Sequence, residues 1–291
     1  MSTLKHFVEA SWLNEHLHDD KLFIIDCRFD LFDPAEHGKR SYAQDMIEGA
    51  YYFDMDEDLS ENRGEHGGRR ATPDPEILGA KLAAVGICMD STIVCYDDGV
   101  YSAPRAWWQL RYMGYEKVYV LNGGITQWRK LGYPLGTQAP APRGQGTWTA
   151  RLHPEMFADK DYVKAALEKE AAEQNDTKTL LVDSRAYERY TGEYEPLYSK
   201  KGHIPGAISV HYLTNMQAES EGTLIGTPQQ WRRNLAACLD AQEVIFYCGS
   251  GIEACINLMF LAELGKDARL YVGSMSDWVS YDDVEVESFV R

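Results

Sequence analysis

The sequence predicts an α/β fold made of two similar domains, each a parallel sheet with helices on both faces. Short runs of apolar residues alternate with helical patterns, which is typical of strands buried on both sides. The second half of the chain also repeats landmarks of the first half. We expect a first domain in residues 1–135, a linker in 136–153, and a second domain in 154–291.

The repeat consists of matched strand-like runs, each followed by a glycine after the same interval. The runs FIIDCR and LLVDSR correspond to each other, and so do TIVCYD and EVIFYC. A chance similarity would not keep its spacing over several landmarks, so the pattern indicates an internal duplication. The matched intervals run from Asp26 to Gly49 and Asp183 to Gly206, and from Asp97 to Gly114 and Cys248 to Gly265.

Composition excludes several partners. The 291 residues include 29 Lys and Arg against 45 Asp and Glu, a formal net charge of −16. This balance argues against nucleic acid and against an anionic membrane surface, since both require a basic face. No apolar stretch approaches a membrane span and the N-terminal sequence has no apolar signal core, so we expect a cytoplasmic protein with reduced cysteines. The linker stands out because it is rich in Pro, Gly, Ala and Thr.

The chemistry is expected at the loop CGSGIEAC, residues 248–255, directly after the strand EVIFY. The carboxyl ends of parallel strands are where α/β proteins bind ligands. Gly249 and Gly251 permit a tight loop, and a helix begins immediately afterwards. We expect the backbone of Gly249, Gly251, Ile252 and Glu253 to form an anion-binding nest that lowers the pKa of Cys248. The other cysteines are predicted to be buried apolar residues: Cys27, Cys88, Cys95, Cys238 and Cys255.

The loop YCGSGIEAC resembles the active-site loop of the rhodanese superfamily, in particular that of its mercaptopyruvate-type sulfurtransferases. The segments DSRAYERYTG, KGHIPGA, VLNGGITQW and YVGSMSDW are also similar to family sequences. The resemblance spans essentially the whole chain and implies two tandem rhodanese-like domains. It implies a catalytic second domain and an inactive first one, because Asp97 stands where Cys248 does and cannot accept a sulfane sulfur. Glu253 departs from the family, which commonly has Thr or a small residue there.

The same resemblance implies roles for residues outside the loop. Arg189 matches the arginine that binds the anionic substrate, although a solvated surface charge is the alternative. Asp56, His66 and Ser250 match a proton relay, although His66 alone would be read as an ordinary loop residue. Arg185 is predicted to be a structural partner of a carboxylate, like Arg28 in the first half. Further cations near the site are available at Lys200 and Lys201, and His203 is predicted to be structural.

The implied reaction takes sulfur from 3-mercaptopyruvate onto Cys248 and passes it to an acceptor, either cyanide or a thiol such as that of a small dithiol protein. The cysteine itself carries the sulfur, so neither a metal nor an organic cofactor is expected. Two alternatives stay open: a thiosulfate:cyanide sulfurtransferase, or a catalytically weak sulfur-carrier or binding module. A cysteine phosphatase is disfavoured, because the arginine that should follow six residues after the nucleophile is replaced by Ala254.

Overall fold

The computed structural model describes residues 4–172, 179–220 and 222–289. These residues form two compact units. The first comprises residues up to Glu61, Thr72–His153 and Gln217–Ile225; the second comprises Asn62–Ala71, Pro154–Met216 and Gly226 onward. The outermost residues of the predicted domains, 1–3 and 290–291, lie outside the described residues, as do 173–178 and 221 within the second.

The first unit contains a five-stranded parallel sheet and helices before and after its strands. Its sheet order is β1-β6-β5-β2-β4, and β3 pairs with β7 in a separate antiparallel ribbon. The elements are β1 (Phe7–Val8), α1 (Ala10–Glu15), β2 (Leu22–Asp26), α2 (His37–Gln44), β3 (Met46–Ile47), β4 (Ala50–Tyr52), α3 (Pro75–Ala84), β5 (Thr92–Tyr96), α4 (Ala103–Tyr112), β6 (Val118–Leu121), α5 (Gly124–Lys130) and β7 (Leu135–Gly136).

The second unit repeats this plan. Its sheet order is β10-β9-β13-β14-β8, again with every pair parallel. The elements are β8 (Phe157–Ala158), α6 (Lys160–Ala172), β9 (Thr179–Asp183), α7 (Tyr187–Thr191), β10 (Ile208–Ser209), α8 (Pro228–Asn234), α9 (Ala236–Asp240), β13 (Glu243–Tyr247), α10 (Ala254–Glu263), β14 (Arg269–Tyr271) and α11 (Ser274–Trp278). A separate two-stranded ribbon pairs β11 (Met216–Ala218) with β12 (Thr223–Ile225), and all of its residues except Met216 belong to the first unit.

Burial and capping explain why these segments fold as they do. All five residues of β2 are buried, and so are the last four residues of β5, β9 and β13, as expected for strands covered on both faces. Helix α3 begins at a proline, and the Asp74 side chain accepts a hydrogen bond from the Glu76 N–H at 2.8 Å. Among the described residues, no helix is both long and apolar enough to cross a membrane.

The duplication extends to individual hydrogen bonds. In the first unit, the Ile47 N–H donates to the hydroxyl of Tyr96, the last residue of the central strand β5, at 3.2 Å. In the second unit, the Ile204 N–H donates in the same way to Tyr247, the last residue of β13, at 3.1 Å. The predicted α/β fold of two similar parallel-sheet domains is therefore confirmed.

Residues 136–153, expected to connect the domains, pack along the first unit. The Arg143 N–H donates to the Val85 carbonyl at 3.2 Å, and the Gly146 N–H donates to the Ala83 carbonyl at 2.7 Å. Any side chain at Gly79 of α3 would overlap the indole of Trp148, with a Cβ only 2.2 Å from a ring atom. The extended chain is thus hydrogen-bonded and close-packed even though it lacks helical periodicity.

Candidate active site

The loop after β13 forms hydrogen bonds with the first residues of α11. Cys248 is 1% exposed, and its backbone N–H donates to the Ser274 hydroxyl at 3.1 Å. The Cys248 carbonyl accepts from the Met275 N–H at 3.1 Å, and the Gly249 carbonyl accepts from the Ser276 N–H at 3.0 Å. Gly251 has a φ of +76°, a conformation that favours glycine. These bonds hold the loop as a rigid turn at the carboxyl end of the central strand.

Backbone N–H groups of this loop surround the Cys248 sulfur. Those of Ala254, Ser250 and Gly251 form hydrogen bonds that favour the thiolate. Of the residues predicted to form the nest, Gly251 contributes its N–H, and the other two N–H groups come from Ser250 and Ala254; the expected lowering of the thiol pKa is wrong. Burial raises the pKa of Cys248 above its ordinary value, and the Glu253 carboxylate raises it further, so the N–H groups only partly offset these effects.

The other predicted nest residues shape the loop through their carbonyls. The Ile252 side chain is 2% exposed and its carbonyl accepts from the Cys255 N–H at 3.1 Å; the Glu253 carbonyl accepts from the Ile256 N–H at 3.1 Å. The Cys255 thiol is buried and donates to the Gly251 carbonyl at 3.2 Å, which agrees with its predicted structural role.

Glu253 is half-buried at the beginning of α10. Burial, and to a smaller extent the neighbouring Asp183, raise the pKa of its carboxyl, whereas Arg189, Arg185 and Arg69 lower it, and the net result is a pKa of about 7. The carboxyl therefore changes charge near neutral pH, a property that few carboxyl groups in proteins have.

Arg189 lies beside the loop and is held by a buried carboxylate. Its Nε and Nη2 donate to Glu195 at 2.9 to 3.1 Å, while a Cβ at Gly249 would lie 3.5 Å from its Nη1. Glu195 has a fully buried side chain, which also accepts from Arg185 at 3.1 Å and from the Leu197 N–H at 2.9 Å. Arg189 is therefore fixed at the edge of the site and does not lie free on the surface.

Two further arginines reach the loop from residues 62–71, the segment that groups with the second unit. Arg70 is 6% exposed, and its Nη1 donates to the Ser250 hydroxyl at 3.3 Å. Arg69 donates from Nη2 to the Tyr198 hydroxyl at 3.0 Å, and Tyr198 in turn donates to the Gly249 carbonyl at 2.7 Å. The Tyr198 ring lies 5.3 Å from the Arg69 guanidinium carbon and 5.7 Å from that of Arg189.

Residues 62–71 follow the surface of the second unit closely. The Gly67 N–H donates to the Asp277 carboxylate at 2.7 Å, and the Arg69 N–H donates to the Ser276 hydroxyl at 3.1 Å. A Cβ at Gly68, whose φ is +82°, would lie 2.6 Å from the Gly273 carbonyl oxygen, so only glycine permits this approach. The pair of glycines thus places the two arginines that follow it.

The observed partners of His66 and Asp56 differ from those that the predicted proton relay requires. His66 is exposed; its Nδ1 lies 2.9 Å from the Ser280 hydroxyl and its ring stacks on Tyr281 with centroids 4.1 Å apart. Asp56 belongs to the first unit, where it is exposed and donates its N–H to the Asp54 carboxylate at 2.8 Å. The side chain that the structure brings to Ser250 is that of Arg70.

The remaining predicted residues are accounted for by local contacts. Arg185 is fully buried and pairs with Asp183 at 2.6 Å, as Arg28 pairs with Asp26 in the first unit at 2.6 Å. His203 is buried and stacks on Tyr190. Lys200 donates to the Tyr281 carbonyl at 2.7 Å, while Lys201 is exposed. Within the described ranges, no group of three or more His, Cys, Asp or Glu residues could hold a metal ion.

In the first unit, the loop that corresponds to CGSG binds the side chain of its own first residue, Asp97. The Asp97 carboxylate accepts hydrogen bonds from the N–H groups of Gly99, Tyr101, Ser102 and Ala103 at 2.6 to 2.9 Å. Burial nevertheless raises the pKa of this carboxyl. A nest for an anion is therefore kept in this unit, but the anion is an internal carboxylate.

Sequence reasoning missed several residues that contact the CGSG loop or support the residues beside it: Arg69, Arg70, Glu195, Tyr198 and Ser274. Arg69 and Arg70 carried a usable signal, because two adjacent arginines after Gly67 and Gly68 resemble a mobile cationic loop. Glu195 carried none, since an acidic residue in GEYEPLYSK has the appearance of a solvated loop residue. Its burial follows from the two guanidiniums that it joins.

Comparisons with a family model and with related proteins agree on the family of this chain. The model of the rhodanese-like domain matches residues 9–131 and again residues 163–281. A probable 3-mercaptopyruvate sulfurtransferase of Pseudomonas aeruginosa is 36% identical over 93% of this chain and 94% of its own length. A putative thiosulfate sulfurtransferase of Mycobacterium tuberculosis is 32% identical over 90% of this chain and 89% of its own length.

Solved structures agree with this assignment. The crystal structure of an Escherichia coli enzyme of the 3-mercaptopyruvate class superposes with a TM-score of 0.78 at 31% identity, covering 93% of this chain and 98% of that one. The predicted resemblance, with two tandem domains, is thereby confirmed, and the matched relatives are sulfurtransferase enzymes by name. The chain belongs to the rhodanese family and carries two copies of its domain.

Proposed function

We propose that this protein is a sulfurtransferase that takes sulfane sulfur from 3-mercaptopyruvate and passes it to a thiol or cyanide through a persulfide on Cys248. The observation that carries the proposal is the buried Cys248 thiol inside a ring of backbone N–H groups at the end of the central strand. The names of the relatives from Pseudomonas aeruginosa and Escherichia coli support the same donor.

The chemistry follows from the loop. The Cys248 thiolate attacks the donor sulfur, the carbon–sulfur bond breaks, and pyruvate leaves after its carbon gains a proton. The N–H groups of Ser250, Gly251 and Ala254, which form hydrogen bonds to the Cys248 sulfur, stabilise the negative charge of the persulfide. An acceptor thiolate or cyanide attacks this outer sulfur and regenerates the Cys248 thiolate.

Cations at the edge of the loop suit an anionic donor. Arg189 is fixed by Glu195 with Nη1 on the side of Gly249, where a substrate carboxylate would bind. Arg69 donates to the Tyr198 hydroxyl, and its guanidinium carbon lies 5.3 Å from the centre of the Tyr198 ring. The expected partners are a small anionic sulfur donor and an acceptor, either a thiol such as that of a small dithiol protein or cyanide.

Thiosulfate is the second candidate donor, and a specific observation favours it. Arg70 at Ser250, together with Arg69 and Arg189, brings three guanidiniums to the surroundings of one thiol. A dianion without a thiol proton gains more from such cations than a monoanion does. The relative from Mycobacterium tuberculosis is named for thiosulfate.

The proton relay of Asp56, His66 and Ser250 stays a prediction, as does a cytoplasmic location. The observed partners of His66 are Ser280 and Tyr281, so a relay through its ring requires the side chain to leave both.

Steady-state rates with both donors test the proposal, with cyanide as the common acceptor. We expect a larger kcat/KM with 3-mercaptopyruvate, and an increase in protein mass by one sulfur atom after donor treatment in the absence of acceptor. A larger kcat/KM with thiosulfate would mean that thiosulfate, and not 3-mercaptopyruvate, is the preferred donor. If neither donor supports turnover or the mass increase, the sulfurtransferase assignment fails and a binding role takes its place.

A further inference from the structure

We propose that Tyr198 is a positioning residue that directs the Ser250 N–H at the Cys248 sulfur. The Tyr198 hydroxyl holds the carbonyl of the same peptide bond, that of Gly249, and it receives a hydrogen bond from the Arg69 guanidinium. The proposal deepens the proposed function and rests on it, because it takes Cys248 as the sulfur carrier. It adds the residue that orients one of the groups stabilising the sulfur.

The direction of both hydrogen bonds of the Tyr198 hydroxyl is fixed by the groups that it meets. A guanidinium has only donors, so Arg69 Nη2 donates to the hydroxyl oxygen at 3.0 Å. The hydroxyl proton is then left for the Gly249 carbonyl, which accepts it at 2.7 Å. The ring centre lies 5.3 Å from the Arg69 guanidinium carbon and 5.7 Å from that of Arg189, so two cations also hold the ring. The phenol is therefore an oriented donor to the loop.

The Gly249 carbonyl and the Ser250 N–H belong to one planar peptide bond. The described residues contain no cis peptide bond, so these two groups point in opposite directions. The carbonyl accepts from Tyr198 at 2.7 Å and from the Ser276 N–H at 3.0 Å, which uses both of its lone pairs. The N–H on the other side of the peptide bonds the Cys248 sulfur. The groups that fix the carbonyl therefore also fix the direction of this N–H.

The guanidinium, the phenol, the carbonyl and the N–H form one chain of hydrogen bonds that starts at a positive charge. Each bond in such a chain polarises the next one, and a charged donor makes a stronger bond than a neutral donor. The charge of Arg69 thus increases the ability of the Ser250 N–H to stabilise a negative sulfur. The chain acts on the sulfur before a donor arrives, so its effect is the same for every donor.

The corresponding loop of the first unit has the same support from the helix that follows it in space. The Ile125 N–H donates to the Asp97 carbonyl at 2.8 Å, and the Thr126 hydroxyl donates to the Asp98 carbonyl. In the first unit these contacts hold the turn around a carboxylate. Within the described ranges, a tyrosine hydroxyl is added at the matching carbonyl only in the second unit, which carries the cysteine. The added bond therefore belongs with the sulfur and not with the fold of the loop.

Tyr198→Phe tests the role, because it removes the hydroxyl and keeps the ring between the two guanidiniums. Burial raises the pKa of Tyr198 above that of an exposed tyrosine, so the phenol is uncharged near neutral pH and the substitution removes no charge there. The other charged and titratable groups around the thiol and the phenol stay in place: Glu253, Tyr212, Arg69, Arg70, Arg189 and Glu195. A change at Cys248 then reports the hydrogen bond and not a lost charge.

We expect the pH midpoint of Cys248 alkylation by iodoacetamide to rise by about 0.5–1 unit in Tyr198→Phe, the shift that one hydrogen bond supplies. This leaves about 3- to 10-fold less thiolate at neutral pH, and kcat/KM should fall by that factor with either donor. Tyr190→Phe is the matched control, because it removes a buried hydroxyl of the same unit that donates to the Ala207 carbonyl at 2.8 Å. It should lower the free energy of unfolding and leave the midpoint in place. An unmoved midpoint in Tyr198→Phe, with the parent circular dichroism spectrum, would overturn the proposal.

Arg69→Met tests whether the charge acts through the phenol. We expect this substitution to raise the midpoint in the parent protein and to add little in the Tyr198→Phe background, where the chain is already broken. Equal shifts in the two backgrounds would show that Arg69 acts on the sulfur directly through space, and the proposed chain would be wrong. The midpoints need no turnover. An inactive parent enzyme with both donors would contradict the proposed function, whereas an unmoved midpoint contradicts the role of Tyr198, so the two failures are distinguishable.

Discussion

Arg189 and Glu195 form an ion pair at the edge of the CGSG loop in which two guanidinium nitrogens make three hydrogen bonds of 2.9 to 3.1 Å. The carboxylate is buried beneath the guanidinium and is shared with Arg185. A guanidinium that is held in this way loses little conformational entropy when a substrate binds. The pair therefore fixes the direction in which the remaining donors of Arg189 point.

Arg189→Ala should weaken use of 3-mercaptopyruvate mainly through KM. We expect a decrease in kcat/KM that corresponds to the loss of about 2–4 kcal/mol of transition-state binding, the range for loss of a partly desolvated charge contact. Arg232→Ala, an exposed arginine on α8, is the control and should leave KM unchanged. An unchanged KM in Arg189→Ala would assign the substrate carboxylate to Arg69 or Arg70.

Cys248→Ser should abolish turnover with either donor while leaving the fold intact. Serine has nearly the same shape and fits the same N–H groups, but its hydroxyl is a far weaker nucleophile at neutral pH. Far-ultraviolet circular dichroism and intact mass before and after donor treatment check both statements. Cys255→Ser is the control, because its hydroxyl can still donate to the Gly251 carbonyl. Sulfur addition in Cys248→Ser would move the nucleophile to another cysteine.

The pH dependence of alkylation should show a raised thiol pKa at Cys248. Because burial and Glu253 favour the neutral thiol, the thiolate of the folded protein appears only at a pH above that of an exposed cysteine. Iodoacetamide labelling at this site, followed by peptide mass spectrometry between pH 6 and about 10, gives the midpoint relative to a free thiol near 8.5. The same sign means that this thiol destabilises the fold as pH rises from the unfolded-state pKa through the folded one. A midpoint below that of a free thiol would support the sequence-based prediction that the loop lowers the pKa of Cys248.

Arg70→Met should change the preference between donors. Removing a buried cation beside Ser250 weakens binding of the dianion thiosulfate more than binding of the monoanion 3-mercaptopyruvate. We expect the decrease in kcat/KM to correspond to about 2 kcal/mol or more of transition-state binding for thiosulfate, and to less for 3-mercaptopyruvate. Arg63→Met removes an exposed arginine of the same segment and provides the comparison. Equal losses with both donors would mean that Arg70 acts only by ordering the loop.

Asp97→Ala should destabilise the first unit without touching the residues around Cys248. The substitution leaves four backbone N–H groups without their present acceptor, each worth about 1–3 kcal/mol when buried and unpaired. We expect a total loss of about 3 kcal/mol in the free energy of unfolding, because water reaches part of the emptied loop. Asp98→Ala, at an adjacent and half-exposed position, should cost less. Urea denaturation compares the two, and an equal loss would remove the special role of Asp97.

The sequence by itself determined the architecture and the position of the loop that carries the proposed nucleophile. Strands that are apolar on both faces can be buried only between layers of helices, so runs such as EVIFY specify a parallel sheet before any coordinates are known. Equal intervals in the two halves then require one topology twice, and both sheets have it. The sequence predicts Cys248 as the nucleophile because a strand, two glycines and a helix start define its loop through local backbone geometry alone.

Only the tertiary structure decided the electrostatics of the site. The pKa of Cys248 depends on how completely the sulfur is buried and on the Glu253 charge, and neither follows from loop sequence. Likewise, Arg70 reaches Ser250 although the two residues are far apart in the chain, because Gly67 and Gly68 let their segment pack against Asp277 and Gly273. Short-range backbone preferences specify elements and loops, whereas desolvation and long-range ion pairs arise only when distant segments are brought into contact.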